Sequence, residues 1–183
     1  IITILSLLFG FISILFALSR EFNLSASAII FSVCLDGFDG YVARSRGVAT
    51  EFGRELDSLV DAVSFGLAPV LLCYAYINNG IYSLSTIAFF IYLVCAVIRL
   101  TKYNIAPRGT QDIYFLGLPT TVSGALLASF VLIYNKEKIY AGNISILFVF
   151  LVLFLALLMV SSIRYLNLKG LEYSCGKMLK PVL

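Results

Sequence analysis

The stretch DGFDGYVARSRGVATEFGRELDSLVD (residues 36–61) holds four aspartates, two glutamates, three arginines and four glycines. Its flanks are apolar: LSASAIIFSVCL (24–35) leads into it and AVSFGLAPVLLCYAYI (62–77) leads out. The charge therefore falls at the end of one apolar segment and the start of the next. Asp36 and Asp39 are three residues apart, and Asp57 and Asp61 are four apart. Both spacings put a pair on one helix face. Two antiparallel helices joined by a short turn can bring the pairs together, and this sets the expected fold.

The rest of the chain supports it. Of 183 residues, 61% are hydrophobic and only 13% charged, about half the charge of an ordinary soluble domain. The mean hydropathy is +1.00. A membrane-spanning helix needs about 20 apolar residues, and six segments qualify: 1–19, 24–44, 54–78, 82–103, 113–134 and 142–166. None alternates as the strands of a membrane barrel do. The expectation is an all-α polytopic membrane protein, a six-helix bundle forming one domain over 1–183, with breaks at REFN, RSRGVATE, NNG, APRGTQD and NKEK. Segment 1 has no basic stretch before it and no small-residue cleavage site after it, so it reads as a span and not a signal peptide. The chain opens on isoleucine, and a native start upstream is expected.

Charge asymmetry orients the bundle. Arg44, Arg46, Arg54, Arg99, Lys102, Arg108, Arg164, Lys169, Lys177 and Lys180 belong to one set of segment ends; Arg20, Lys136 and Lys138 belong to the other. The first side is expected to be cytoplasmic, and the acidic stretch with it. The net charge of +3 fits a membrane-surface bias and not nucleic-acid binding. With no histidine in the chain, a histidine base and a His-ligated zinc are excluded. Cys34, Cys73, Cys95 and Cys175 show no paired spacing, and the first three fall within apolar spans, where they serve as small hydrophobic packing.

Four carboxylates at membrane depth repel one another at high cost. Divalent cations remove that cost, and hard oxygen ligands suit Mg²⁺, Mn²⁺ or Ca²⁺. Gly37, Gly40 and Gly53 accompany the acids, although each glycine within a helix costs about 1 kcal/mol relative to alanine. Something bulky is therefore expected near the backbone. A metal-bound pyrophosphate would fit, with Arg44 as a phosphate partner. The plainer reading is an ion-pair network with small residues for helix packing; four acids in two facing pairs favour the metal.

Asp36, Asp39, Gly40, Ala43, Arg44, Gly53, Asp57 and Asp61 together fit D-x2-D-G-x2-A-R-x8-G-x3-D-x3-D with no departure. This pattern resembles that of the CDP-alcohol phosphotransferase family, and six spans with the motif across segments 2 and 3 match that family's fold. The resemblance implies transfer of a phosphorus-containing group from a CDP-linked donor to an alcohol, with release of CMP. It implies that Asp36, Asp39 and Asp57 bind two divalent metals, Mg²⁺ or Mn²⁺. Asp61 would share the metals and act as general base. Gly37, Gly40, Ala43, Arg44 and Gly53 would shape the CDP pocket, and the protein would be a homodimer.

AVSFGLAPV (62–70), RLTKYN (99–104) and FLGLPTT (115–121) further resemble the phosphatidylserine synthase branch of the family, whose substrates are CDP-diacylglycerol and L-serine. Glycerol-phosphate branches tend to carry lysine directly after the last motif aspartate, where this chain has Ala62. A serine carboxylate needs a cationic partner when buried, and Arg99 lies deepest among apolar residues. Lys102 and Arg108 read as interfacial snorkelling residues. Asn104, Ser64 and Thr120 or Thr121 are further candidates for hydrogen bonds to serine, and Pro119 marks a helix start or kink. Alternatives are a glycerol-phosphate or inositol-phosphate acceptor and, in a different class, a cation-coupled transporter. Transporter sites lie near the midplane between repeated halves, whereas these acids lie toward one face of a chain without a visible repeat.

Overall fold

A computed structural model of the chain describes residues 2–46, 51–77, 82–105, 114–136, 142–161 and 163–166. It is a helical bundle in which α1 (Ile2–Leu18) and α2 (Phe22–Arg46) form an antiparallel pair. Two reciprocal serine pairs join them: Ser6 and Ser32 hydroxyls are 2.8 Å apart, and those of Ser13 and Ser25 2.9 Å. The α1 face that carries them is Ser6, Gly10, Ser13 and Ala17, all buried. Such small residues let helix backbones approach in an apolar medium. The turn between the helices is a Schellman closure, with Glu21 N–H donating to Phe16 C=O and Arg20 N–H to Ala17 C=O. Arg20 takes the left-handed conformation there, at φ 61°.

The third span is interrupted. Helix α3 (Glu51–Asp61) passes into a π-helical segment, Ala62–Leu67, and then α4 (Ala68–Tyr76). Ala68 N–H donates to Val63 C=O, one residue further back than in an α-helix. Pro69 has no N–H to give to Phe65 C=O, its α-helical partner. That carbonyl accepts the Tyr92 hydroxyl instead, at 3.3 Å.

Helix α5 (Tyr82–Ile105) follows, then α6 (Thr120–Lys136) and α7 (Gly142–Val160). Two expectations need correction here. Segments 113–134 and 142–166 are not helical throughout, because β1 (Tyr114–Leu116) pairs antiparallel with β2 (Arg164–Leu166). The bundle is thus all-α apart from this short ladder. Gly117 ends the strand at φ +77°, and a Cβ there would stand 2.3 Å from Met159 O. Leu118 N–H donates to Leu158 C=O, and Pro119 directly precedes α6.

Phe22–Asp39, Glu51–Tyr76 and Leu84–Ile105 are long and apolar enough to cross a bilayer. Ile2–Leu18, Thr120–Asn135 and Ile146–Val160 are shorter apolar helices. Large apolar side chains on the three longer helices, such as Phe31, Leu59, Ile87 and Phe90, point outward, as do Phe11, Phe150, Phe154 and Leu157 on the shorter ones. Outward apolar faces on helices of spanning length are those of an integral membrane protein. Inside, Phe65, Leu72, Tyr92, Leu127 and Phe148 are fully buried. At one end Phe22, Tyr76, Phe130, Tyr134 and Phe148 form a ring cluster with centroids 5.2–6.4 Å apart along its contacts. The acidic stretch lies at the other end.

Candidate active site

The end of α2 and the length of α3 bring three of the four motif aspartates together. One carboxylate oxygen from each of Asp36, Asp57 and Asp61 lies within 4.8 Å of the others. All three residues are half-buried. Asp39 is outside this trio: its carboxylate accepts a hydrogen bond from the Thr3 hydroxyl of α1. It is still near enough to Asp57 for the two charges to repel. Nothing local in the sequence signals Thr3 as a partner.

The trio's geometry fits a divalent cation. At ligand distances of about 2.0–2.6 Å, oxygens on opposite sides of such an ion stand roughly 4–5 Å apart. The Oδ1 atom of Asp61 is buried and without a hydrogen-bond partner among the described residues. An acceptor left so costs about 1–3 kcal/mol unless something else meets it. The donor set is all-oxygen, as Mg²⁺ and Mn²⁺ prefer.

Positive charge borders the trio. Arg99, at the deep end of the last turns of α5, is attracted by Asp61. Its Nη1 donates to Thr120 Oγ1 at 3.2 Å, at the start of α6. The Nε atoms of Arg99 and of Arg54 are buried and have no hydrogen-bond partner among the described residues. The unused Arg99 donor and the unused Asp61 oxygen give the site capacity for both an anion and a cation.

The glycine positions divide. At Gly37 an added Cβ would meet nothing within 4 Å, so the backbone there faces open space. Gly53 is exposed on α3. Gly40, Ala43 and Arg44 lie on the last turns of α2, and their side-chain environment is outside the described residues, as is Arg108 altogether. Two candidates for serine contacts are engaged with the protein itself. Ser64 is fully buried and donates to Ser6 C=O at 3.3 Å. The Asn104 amide accepts from Ser58 at 3.0 Å and donates to Glu55 at 3.1 Å, tying α5 to α3. Thr120 is buried against Arg99, and Lys102 is exposed.

Comparison with known proteins bears on this arrangement. The sequence profile described as CDP-alcohol phosphatidyltransferase matches residues 1–163. The chain is 34% identical over 169 residues to the CDP-diacylglycerol–serine O-phosphatidyltransferase of Helicobacter pylori, covering 92% of this chain and 71% of that protein. It is 35% identical over 165 residues to the protein of the same name from Methanocaldococcus jannaschii, covering 90% and 71%. It is 30% identical over 167 residues to the archaetidylserine synthase of Methanothermobacter thermautotrophicus, covering 90% and 67%.

Proposed function

Because the chain belongs to the CDP-alcohol phosphatidyltransferase family, we propose that it transfers the phosphatidyl group of CDP-diacylglycerol to the hydroxyl of L-serine and releases CMP. The observation that carries this reading is the convergence of Asp36, Asp57 and Asp61 within 4.8 Å in a chain similar over most of its length to serine-transferring enzymes. With Asp39, these residues would hold two divalent cations, Mg²⁺ or Mn²⁺. When bound, the cations supply positive charge that screens the pyrophosphate and favours departure of CMP.

The chain's own residues do the rest. The serine oxygen attacks the phosphorus on the lipid side, and the bond from that phosphorus to the CMP oxygen breaks. Asp61 takes the hydroxyl proton as the new bond forms. Arg99, which is near enough to Asp61 for the opposite charges to attract and whose Nε has no partner among the described residues, holds the serine carboxylate. Gly37, Gly40, Ala43, Arg44 and Gly53 shape the CDP pocket, the open backbone at Gly37 giving room for the donor. The six apolar helical stretches all span the membrane, with the site facing the cytoplasm, and the protein works as a homodimer.

The test is CMP release from CDP-diacylglycerol with L-serine, glycerol 3-phosphate, inositol phosphate and inositol, each with Mg²⁺ or Mn²⁺. Release with serine alone, abolished by excess EDTA, is expected. Release with a different acceptor would move the substrate assignment, and full activity in excess EDTA would remove the metals from the mechanism.

A further inference from the structure

We propose that Thr120 is a positioning residue that fixes the Arg99 guanidinium for acceptor recognition, and that Tyr92 and Ser123 hold Thr120 in place. The inference rests on the reading of Arg99 as partner of the acceptor carboxylate.

An arginine side chain has several rotatable bonds, so a productive position must be chosen by contacts. Arg99 is drawn by the charge of Asp61 and held by the bond from Nη1 to Thr120 Oγ1 at 3.2 Å. Thr120 is 1% exposed, so its hydroxyl is closed to substrate and acts through Arg99. A guanidinium carries five donors. Spending one on Thr120 leaves the others, including Nε, which has no partner among the described residues, for an anion.

Thr120 is itself held. Ser123 Oγ donates to Thr120 C=O at 3.0 Å. The Tyr92 hydroxyl is 2.7 Å from Ser123 Oγ and 3.3 Å from Phe65 C=O. Tyr92 and Ser123 are both fully buried. Phe65 sits in the π-helical segment that begins directly after Asp61, and its carbonyl lacks its α-helical donor because position 69 is proline. Each hydroxyl has one proton. Tyr92 therefore donates to Ser123 while Ser123 donates to Thr120, or Tyr92 donates to Phe65 while Ser123 donates to Tyr92. In the first arrangement Tyr92 braces Ser123, which holds the Thr120 carbonyl; in the second Tyr92 links Phe65, in the segment that follows Asp61, to Ser123 on the helix bearing Thr120. In the second arrangement the segment that follows the proton acceptor of the reaction and the helix that holds the carboxylate clamp are linked through Tyr92.

The experiment compares apparent KM values for L-serine and for CDP-diacylglycerol in the purified full chain. A hydrogen bond to a charged group is strong enough that its loss in Thr120→Val should raise the KM for serine about tenfold. The KM for CDP-diacylglycerol should stay within about twofold, and Thr120→Ser should behave like the parent. Tyr92→Phe should move the serine KM the same way by a smaller factor, with little added effect on top of Thr120→Val, because both act through one group. Arg99→Ala is measured alongside. If it raises the serine KM while Thr120→Val does not, the inference is overturned and the Arg99 reading stands. If Arg99→Ala leaves the serine KM unchanged, the Arg99 reading falls and the inference with it. Equal rises in both KM values without rescue by Thr120→Ser would make Thr120 a packing residue only. Should Thr120→Val fail to fold, Thr120→Ala against Thr120→Ser decides by the same pair of KM values.

Discussion

The four motif aspartates have unequal surroundings, and their roles should separate accordingly. Asp39 already accepts a hydrogen bond from Thr3, and its remaining lone pairs suit a ligand needed as soon as the donor binds. Asp61 has a buried oxygen with no partner among the described residues, and it feels the charge of Arg99 as well as those of Asp36 and Asp57. A carboxylate oxygen kept free beside the clamp for the acceptor is placed for a proton that moves only in the transition state. Groups used only there lower kcat when removed, whereas groups used for donor binding lower affinity too. Asp61→Asn should therefore retain CDP-diacylglycerol binding by calorimetry and lose about 10²–10⁴-fold in kcat by CMP release. Asp39→Asn should lose donor binding itself. If Asp61→Asn loses donor binding as fully as Asp39→Asn, it is chiefly a metal ligand; if it turns over normally, another group takes the proton.

The π-helical segment between α3 and α4 packs against α1 so closely that the contact depends on one glycine. A Cβ on Gly10 would stand 2.4 Å from Ser64 Oγ and 2.9 Å from Ser64 Cα, and the backbone atom has no rotamer by which to yield. Gly10→Ala should destabilise the protein by about 1–3 kcal/mol, read as a lower melting temperature in detergent micelles. Ser64→Gly in the same chain should recover part of it, since the side-chain clash goes while the Cα clash remains. An unchanged melting temperature for Gly10→Ala would show that α1 and the π-helical segment are less tightly packed than this. Ser64 also shows where sequence reading stops. Hydropathy located α1, α2 and α5 within a few residues, because a long apolar run has few other uses. The aspartate spacing, a local pattern, pointed to four acids at one site, of which the structure gathers Asp36, Asp57 and Asp61 and leaves Asp39 beside them on Thr3. The ladder of 114–116 with 164–166 pairs residues distant in the chain, and apolar triplets such as YFL read equally well as helix. The roles of Thr3, Ser64, Tyr92 and Ser123 likewise depend on which helices pack together. Only Pro69 left a local trace of the π-helical segment, through its missing N–H.

Across the whole molecule, polar work and packing are sorted to opposite ends. The carboxylate trio, the Arg99–Thr120 bond, the Asn104 links to α3 and the Leu118–Leu158 bond join the end of α2, the length of α3, the end of α5, the start of α6 and the end of α7. At the far end, the aromatic cluster and the Asn135–Asn23 bond at 2.8 Å join the start of α2 and the end of α6. Arg54, Arg99 and Lys102 belong to the acidic end, and Arg46 closes α2 there. Arg20 belongs to the far end, two residues before Phe22. Lysine and arginine near span ends favour the cytoplasmic side, so the site should open to the cytoplasm even though its acids nearly balance its basic residues, since the rule counts cations and not net charge. Glu51, exposed at the start of α3, and Glu21, exposed in the turn before α2, report the two sides. In a background with Cys34, Cys73, Cys95 and Cys175 replaced by alanine, Glu51→Cys should resist an impermeant thiol reagent in intact cells and react once the membrane is opened. Glu21→Cys should react in intact cells. The reverse pattern would place the site outside. Reaction of both from outside would mean that the stretch between them does not cross the membrane, which would undo the span assigned to α2 and, with it, the antiparallel arrangement that brings Asp36 to Asp57 and Asp61.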